Sequence, residues 1–296
     1  MVSPVSPKSL VRSKSLLGCL CVFASAFFFY LATTTIRWAA SEVRIDPAYF
    51  VFARFLLGLI VVTGVMAIRR QPVRPRRYDL LVGRAVTNSI AVYCFYRAVN
   101  VTTVAQANIL NMTYPVFIAI ISWVFLKAQR DRLAIVMVLT AFAGVWLILS
   151  PGSIGLEFHS LWGLGSGISA AAAIVLLNVS RQYHDTETIL IFMFTLGSLI
   201  IGTLFFDSLF IPRGPALFYL VLCSAFGIGG QYLLTIGFRY VTAVEGGVIS
   251  STRILLAAIL GPYIAADPPM FISGWIGALL IFGANVFLTL RKARKH

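Results

Sequence analysis

Apolar residues run in ten stretches separated by short polar segments, at about 15–38, 47–68, 78–99, 102–126, 132–150, 160–180, 187–206, 216–238, 243–265 and 270–290. A hydrocarbon core about 30 Å thick needs about 20 mostly apolar residues at about 1.5 Å rise each. Each stretch meets that length, and nothing is left over for a soluble domain. The pattern predicts an all-α integral membrane protein with ten transmembrane helices. Composition agrees: apolar types make up 59% of the chain and charged residues 11%, against about 45–50% and about 25% in a soluble domain.

The ten stretches divide five and five. Ser150-Pro151-Gly152-Ser153 closes the fifth, and a polar segment runs from there to Ser160. The expected organisation is a tail over 1–14, a first five-helix repeat over 15–150, a linker over 151–159, a second repeat over 160–290 and a basic tail over 291–296. Two internal echoes support a duplication. Val101-Thr102-Thr103-Val104 leads into the fourth span and Val241-Thr242-Ala243-Val244 into the ninth; Phe55-Leu56-Leu57-Gly58 in the second span matches Phe194-Thr195-Leu196-Gly197 in the seventh. Five crossings leave the chain on the opposite side, so the second repeat is expected to be inverted relative to the first. Secondary transporters recurrently use such inverted halves, which rock about a midplane site.

The net charge of +14 follows the same topology. With ten spans and a cytoplasmic N-terminus, seventeen Lys and Arg residues fall on the inner side and only Arg44, Arg97 and Arg213 on the outer. That bias is the positive-inside rule. It places both termini in the cytoplasm, makes anionic inner-leaflet lipids the expected partner and removes the need for nucleic acid. The first apolar run exceeds the roughly 7–15 residues of a signal peptide's core, so a retained helix is expected. Cys19, Cys21, Cys94 and Cys223 lie inside spans without metal-ligand spacing, and core packing is their expected role.

Ionisable groups inside a membrane are costly and mark functional sites. Arg54 lies in the second span and Arg253 about ten residues into the ninth. Arg84 and Arg37 stand near span ends, where their stems are expected to snorkel to the interface. Glu245, Thr252 and Arg253 share a face of the ninth helix, but Glu245 lies two turns from Arg253, roughly 12 Å away, and cannot pair with it. With no carboxylate deep in any span, Arg253 is left with helix carbonyls, water or the substrate. A substrate carboxylate or phosphate suits, since guanidinium binds such groups bidentately. On the fourth span Asn108, Asn111 and Pro115 are expected on one face. The amides either bond across a helix interface or line a cavity, and Pro115 offers a hinge. Tyr30, deep in the first span, either lines a cavity or packs.

Several of these features resemble a known family. Arg54, the Tyr96-Arg97-Ala98 turn into Ala105-Gln106-Ala107-Asn108, the continuation through Tyr114-Pro115-Val116-Phe117 to Phe125-Leu126, and Ala143-Gly144-Val145 in the fifth span are similar to the drug/metabolite transporter superfamily and its EamA-type ten-helix exporters. The resemblance covers about residues 16–290 and implies a transporter, with export as the direction. The chain departs from the usual pattern at Lys127-Ala128-Gln129, where an acid commonly follows the fourth span. It departs again at Ile254-Leu255, where a proline is usual, and at Asp267-Pro268-Pro269, which replaces Gly-Glu.

The absence of a deep acid in the first helix argues against a proton-coupled exporter of multidrug cations, which remains the alternative. A second alternative is a non-transporting lipid-handling or receptor-like protein. Glu245 is either a proton carrier or an interfacial residue. No phosphate-binding loop, metal motif or histidine dyad occurs in the spans, so an ATP-driven pump, a cofactor and an enzyme are not expected. The reading is a secondary transporter for a small polar metabolite, an amino acid or related carboxylate, working as monomer or homodimer. Arg253, Arg54, Asn108, Asn111, Tyr30 and Thr252 are the expected binding residues.

Overall fold

The computed structural model describes residues 7–125, 132–149, 158–241 and 243–293. Among them no strand occurs, and eleven helices stand where ten spans are expected: α1 (Pro7–Glu42), α2 (Pro47–Arg69), α3 (Tyr78–Val101), α4 (Val104–Asn111), α5 (Tyr114–Phe125), α6 (Arg132–Leu149), α7 (Leu161–Ser180), α8 (Thr186–Leu204), α9 (Pro215–Gly237), α10 (Ala243–Ile264) and α11 (Ile272–Ala293). Five of the described helical segments are long and apolar enough on their own to cross a membrane. α3 has the length, with 24 residues, but carries Arg84, Asn88, Arg97 and Asn100. Arg84 and Asn88 are buried, as expected of polar residues that face a bundle interior.

The extra helix arises because the fourth span is broken. Pro115 has no N–H to give the Asn111 carbonyl, and its ring would crowd that group. α4 therefore closes early, with the Met112 N–H on the Asn108 carbonyl at 3.0 Å and the Thr113 N–H on the Leu110 carbonyl at 3.2 Å. α5 restarts at Tyr114 with Pro115 in its first turn, where no intrahelical donor is needed. The continuous helical face expected for Asn108, Asn111 and Pro115 is thus interrupted before Pro115. From α11, Asn285 Nδ2 donates to the Met112 carbonyl at 2.8 Å and satisfies a group that the break releases. At its other end α4 starts on a capping box, with Gln106 N–H on Thr103 Oγ1 at 3.0 Å.

The helices pair in a regular way. α1 runs along α9 and α7 along α3; α2 contacts both α8 and α9, while α8 also contacts α3; α6 pairs with α11; α10 lies against α1, and α4 and α5 lie against α7. Each of these contacts maps onto another of them, or onto itself, when α1–α6 and α7–α11 are exchanged. The Phe-Gly echo of the sequence sits on one such contact. A Cβ on Gly58 would stand 2.7 Å from the Phe194 ring, and one on Gly197 would stand 2.5 Å from the Phe55 ring. Each phenylalanine occupies the space left by the other segment's glycine, and both rings are fully buried.

At one end of the bundle, the basic segment between α2 and α3 is tied to the α7–α8 turn. His184 Nε2 accepts the backbone N–H groups of Arg76 and Arg77 at 3.1 and 3.2 Å, and Nδ1 lies 3.1 Å from the Ser180 carbonyl. Two donors aimed at Nε2 require its lone pair, so the ring proton belongs on Nδ1. Arg69 bonds Glu187 at 3.1 Å across the same gap. At about 0.5–1.5 kcal/mol per bond, His184→Ala is expected to speed tryptic cleavage after Arg76 about tenfold. An unchanged cleavage rate would show that the histidine does not hold this segment.

Candidate functional site

A cavity of about 100 Å³ lies in the middle of the bundle, lined from both halves. α1 gives Ser25 and Phe29; α2 gives Arg54; α3 gives Arg84, Asn88, Phe95 and Tyr96. The broken span gives Asn111 and Tyr114, α9 gives Gln231, and α10 gives Ser250 and Arg253. Pockets that take drug-sized ligands run to about 300–1,000 Å³, so this one suits a small occupant. Its polar lining holds three guanidinium groups and, among the described residues, no carboxylate.

Arg54 is 3% exposed. Its Nη1 donates to Tyr96 Oη at 3.2 Å and its Nη2 to Gln231 Oε1 at 3.4 Å. Its guanidinium also stands 5.2 Å from the centroid of the Phe29 ring. The side chain fits because α9 carries Gly227 opposite it: a Cβ there would stand 2.7 Å from Arg54 Cδ. Arg253, 5% exposed, donates from Nη2 to Asn111 Oδ1. Its guanidinium lies 5.1 Å from the Phe95 centroid and 5.9 Å from that of Phe29. Phe29 therefore presents its ring to both arginines, a contact whose value rises when water is excluded. Asn111 completes the link by donating from Nδ2 to Ser166 Oγ on α7 at 2.5 Å, so one amide joins α4, α7 and α10.

Of the residues expected from the sequence, Arg54, Asn111 and Arg253 come together in this cavity. Asn108 does not line it: it is fully buried, and its Nδ2 donates to Thr33 Oγ1 on α1 at 3.3 Å and to the Val104 carbonyl at 2.8 Å. Tyr30 is fully buried outside the lining, within the apolar core between α1, α2 and α9. Thr252 turns its hydroxyl to the Ile249 carbonyl of its own helix at 2.6 Å. Pro115 lies in the first turn after the break and outside the lining. The Glu245 side chain lies outside the described residues.

Arg84 corrects the expectation of a snorkelling anchor. It is 2% exposed and among the largest fully enclosed side chains, because α3 is covered by α7 and α8 along its length. Arg37 does reach the end of the bundle, where its Nε lies 3.6 Å from Asp267 Oδ1. Sequence reasoning also missed Gln231, Phe29 and Tyr114 as lining residues. Gln231 carried a usable signal, as the single side-chain amide of α9; the aromatic rings carried none, being a few among many.

Comparison with known proteins fits this geometry. The model of the EamA-like transporter family matches residues 16–150 and again 158–290. An uncharacterized transporter of Helicobacter pylori (strain J99) is 26% identical over 267 residues, 84% of this chain and 88% of that protein. A riboflavin transporter of Brucella anthropi is 24% identical over 260 residues, 85% of this chain and 91% of that protein. A solved crystal structure superposes with a TM-score of 0.64 at 20% identity over 96% of this chain and 99% of that one, a likeness of fold.

Proposed function

This chain belongs to the EamA-like transporter family, and we propose that it is a secondary transporter that moves a small carboxylate-bearing metabolite across the inner membrane, as an exporter with both termini cytoplasmic. The observation that carries the substrate class is the cavity with three buried guanidiniums and no acid in its described lining. A carboxylate is the planar anion that guanidinium holds bidentately. Between an amino acid and a related carboxylate, the lining favours the latter, since it offers no acid to an ammonium group. The same field repels multidrug cations.

The geometry also supports a way for binding to drive movement. Arg253 is held by Asn111, and that bond ties α10 to α4 and, through Ser166, to α7. A substrate carboxylate competes with Asn111 Oδ1 for Arg253 and so loosens the tie at the site it fills. Two five-helix halves, inverted relative to each other and meeting in the exchanged helix pairs, then rock about the cavity. The break ahead of Pro115 serves as the hinge. No nucleotide hydrolysis is involved.

The test is ligand-induced thermal stabilisation of the purified protein with a panel of carboxylates, amino acids and quaternary amines, followed by flux into proteoliposomes. Carboxylates should raise the melting temperature, and Arg253→Ala should weaken their binding about tenfold, as expected for a lost charge-assisted bond. Full affinity and flux in Arg253→Ala would sink the reading. Stabilisation by amines alone would favour the cation exporter, and lipid binding without any flux would favour a non-transporting role.

A further inference from the structure

The three arginines of the cavity are not equally satisfied. Arg54 donates to Tyr96 and Gln231, and Arg253 donates to Asn111. The Nε of each arginine is enclosed without a partner, but Arg84 also meets no acceptor through its other nitrogens among the described residues. One turn further along α3, Asn88 is 6% exposed and its Nδ2 also lacks a partner. Both side chains line the cavity, and their spacing of four residues stacks them on one helix face. Buried donors are almost always satisfied, and a buried charge without a counter-charge is strongly unfavourable. Two adjacent, enclosed and unsatisfied donors therefore describe a place for an acceptor that arrives with the ligand.

The charge count says what kind of ligand. Arg54, Arg84 and Arg253 line one cavity, so the three cations form one connected group. Every acceptor they meet among the described residues is neutral: a phenol, two amides and the faces of Phe29 and Phe95. A monocarboxylate would leave two of the three charges uncompensated. Building on the carboxylate-transporter reading above, we infer that the occupant carries at least two negative charges, as two carboxylates or a phosphate monoester. With two carboxylates, Arg84 and Asn88 receive one and Arg253 the other; with a phosphate monoester, its oxygens are shared between Arg84, Asn88 and Arg253.

The stability of the empty protein provides an independent readout. Arg84→Met removes an uncompensated buried charge and keeps a long apolar stem, so the ligand-free variant should melt at or above the wild-type temperature. A structural arginine would show the reverse.

The experiment measures thermal stabilisation of the full chain in nanodiscs by succinate, citrate and glycerol 3-phosphate, against acetate, alanine and choline. The multiply charged anions should half-saturate at concentrations about tenfold or more below acetate, with alanine weaker still. Arg84→Met and Asn88→Ala should each erase that preference, by about tenfold for the arginine. A response to succinate and citrate alone identifies a dicarboxylate site. A response to glycerol 3-phosphate alone identifies a phosphate site. Acetate or alanine binding as tightly as the multiply charged anions would overturn the proposal, as would an unchanged preference in both variants. In that case, loss of acetate binding in Arg253→Ala would leave the carboxylate reading standing. Stabilisation by choline alone, or by nothing in the panel, would remove both.

Discussion

Replacing Gly277 with valine should drive α6 and α11 apart and destabilise the fold by about 3 kcal/mol, the upper end of what overpacking usually costs. A Cβ on Gly277 would stand 2.6 Å from the carbonyl oxygen of Gly144, and one on Gly144 would stand 2.7 Å from that of Gly277. The obstacle on each side is backbone, which has no rotamer to escape into. Helices in a lipid environment gain little from hiding apolar surface, so close backbone approach through small residues is a main source of their association. Gly283, on the same helix, has nothing within 4 Å of its would-be Cβ. Gly283→Ala should therefore stabilise by about 0.5–1 kcal/mol through backbone entropy. Thermal unfolding of the two variants in one detergent separates the cases, and equal shifts would refute the contact.

Asp267→Ala should destabilise by about 1.5–3 kcal/mol, the range for a hydrogen bond to a charged group. The residue is 4% exposed and caps the broken span from the other half: Oδ2 accepts the Ala105 N–H at 3.2 Å, in the first turn of α4. A carboxylate there also meets the positive end of the helix, and Arg37 lies on its other oxygen. Ala266 just before it has φ +52°, a left-handed conformation that disfavours an alanine and that the surrounding contacts must hold in place. Burial nevertheless pushes the Asp267 carboxyl above its ordinary value of 3.8, against the opposing pull of the Ala105 N–H and Arg37.

The pH dependence follows from that direction. Between pH 3.8 and the raised native value, the folded protein binds the Asp267 proton more than the unfolded chain does. Stability from this group therefore falls as pH rises through the window and is greatest below it. Asp267→Asn keeps an oxygen for Ala105 without the charge, so it should unfold near or above the wild type and lack this acid-side dependence. A melting temperature for Asp267→Asn as low as that of Asp267→Ala would show that the charge, not the bond, holds α4.

Much of the architecture was legible in the chain. Apolar run lengths gave the spans, because bilayer thickness sets helix length independently of neighbours. The Phe-Gly echo was legible as a repeat, and its two members meet across α2 and α8. Pro115 announced an irregular fourth span, but the break itself falls at Met112 and Thr113, displaced toward the carbonyl the proline leaves unbonded. Arg54 and Arg253 stood out because a charge in an apolar run is rare enough to need a reason.

Arg84 shows the limit. Six residues from the start of its expected span, it has the depth of an anchor, and depth along the chain is what a sequence supplies. Whether a side chain at that depth faces lipid headgroups or the bundle interior depends on which helices cover α3. Asp267 likewise read only as a departure from a family pattern until folding brought it to Ala105, 162 positions away. The sequence by itself determined the helical, membrane-crossing character and the two most conspicuous buried charges, because each follows from local hydropathy. Tertiary structure alone decided which polar groups share a cavity, which are satisfied and which have no partner among the described residues. Hydrogen bonding and charge compensation are properties of neighbours in space, and the chain order does not encode their distances directly.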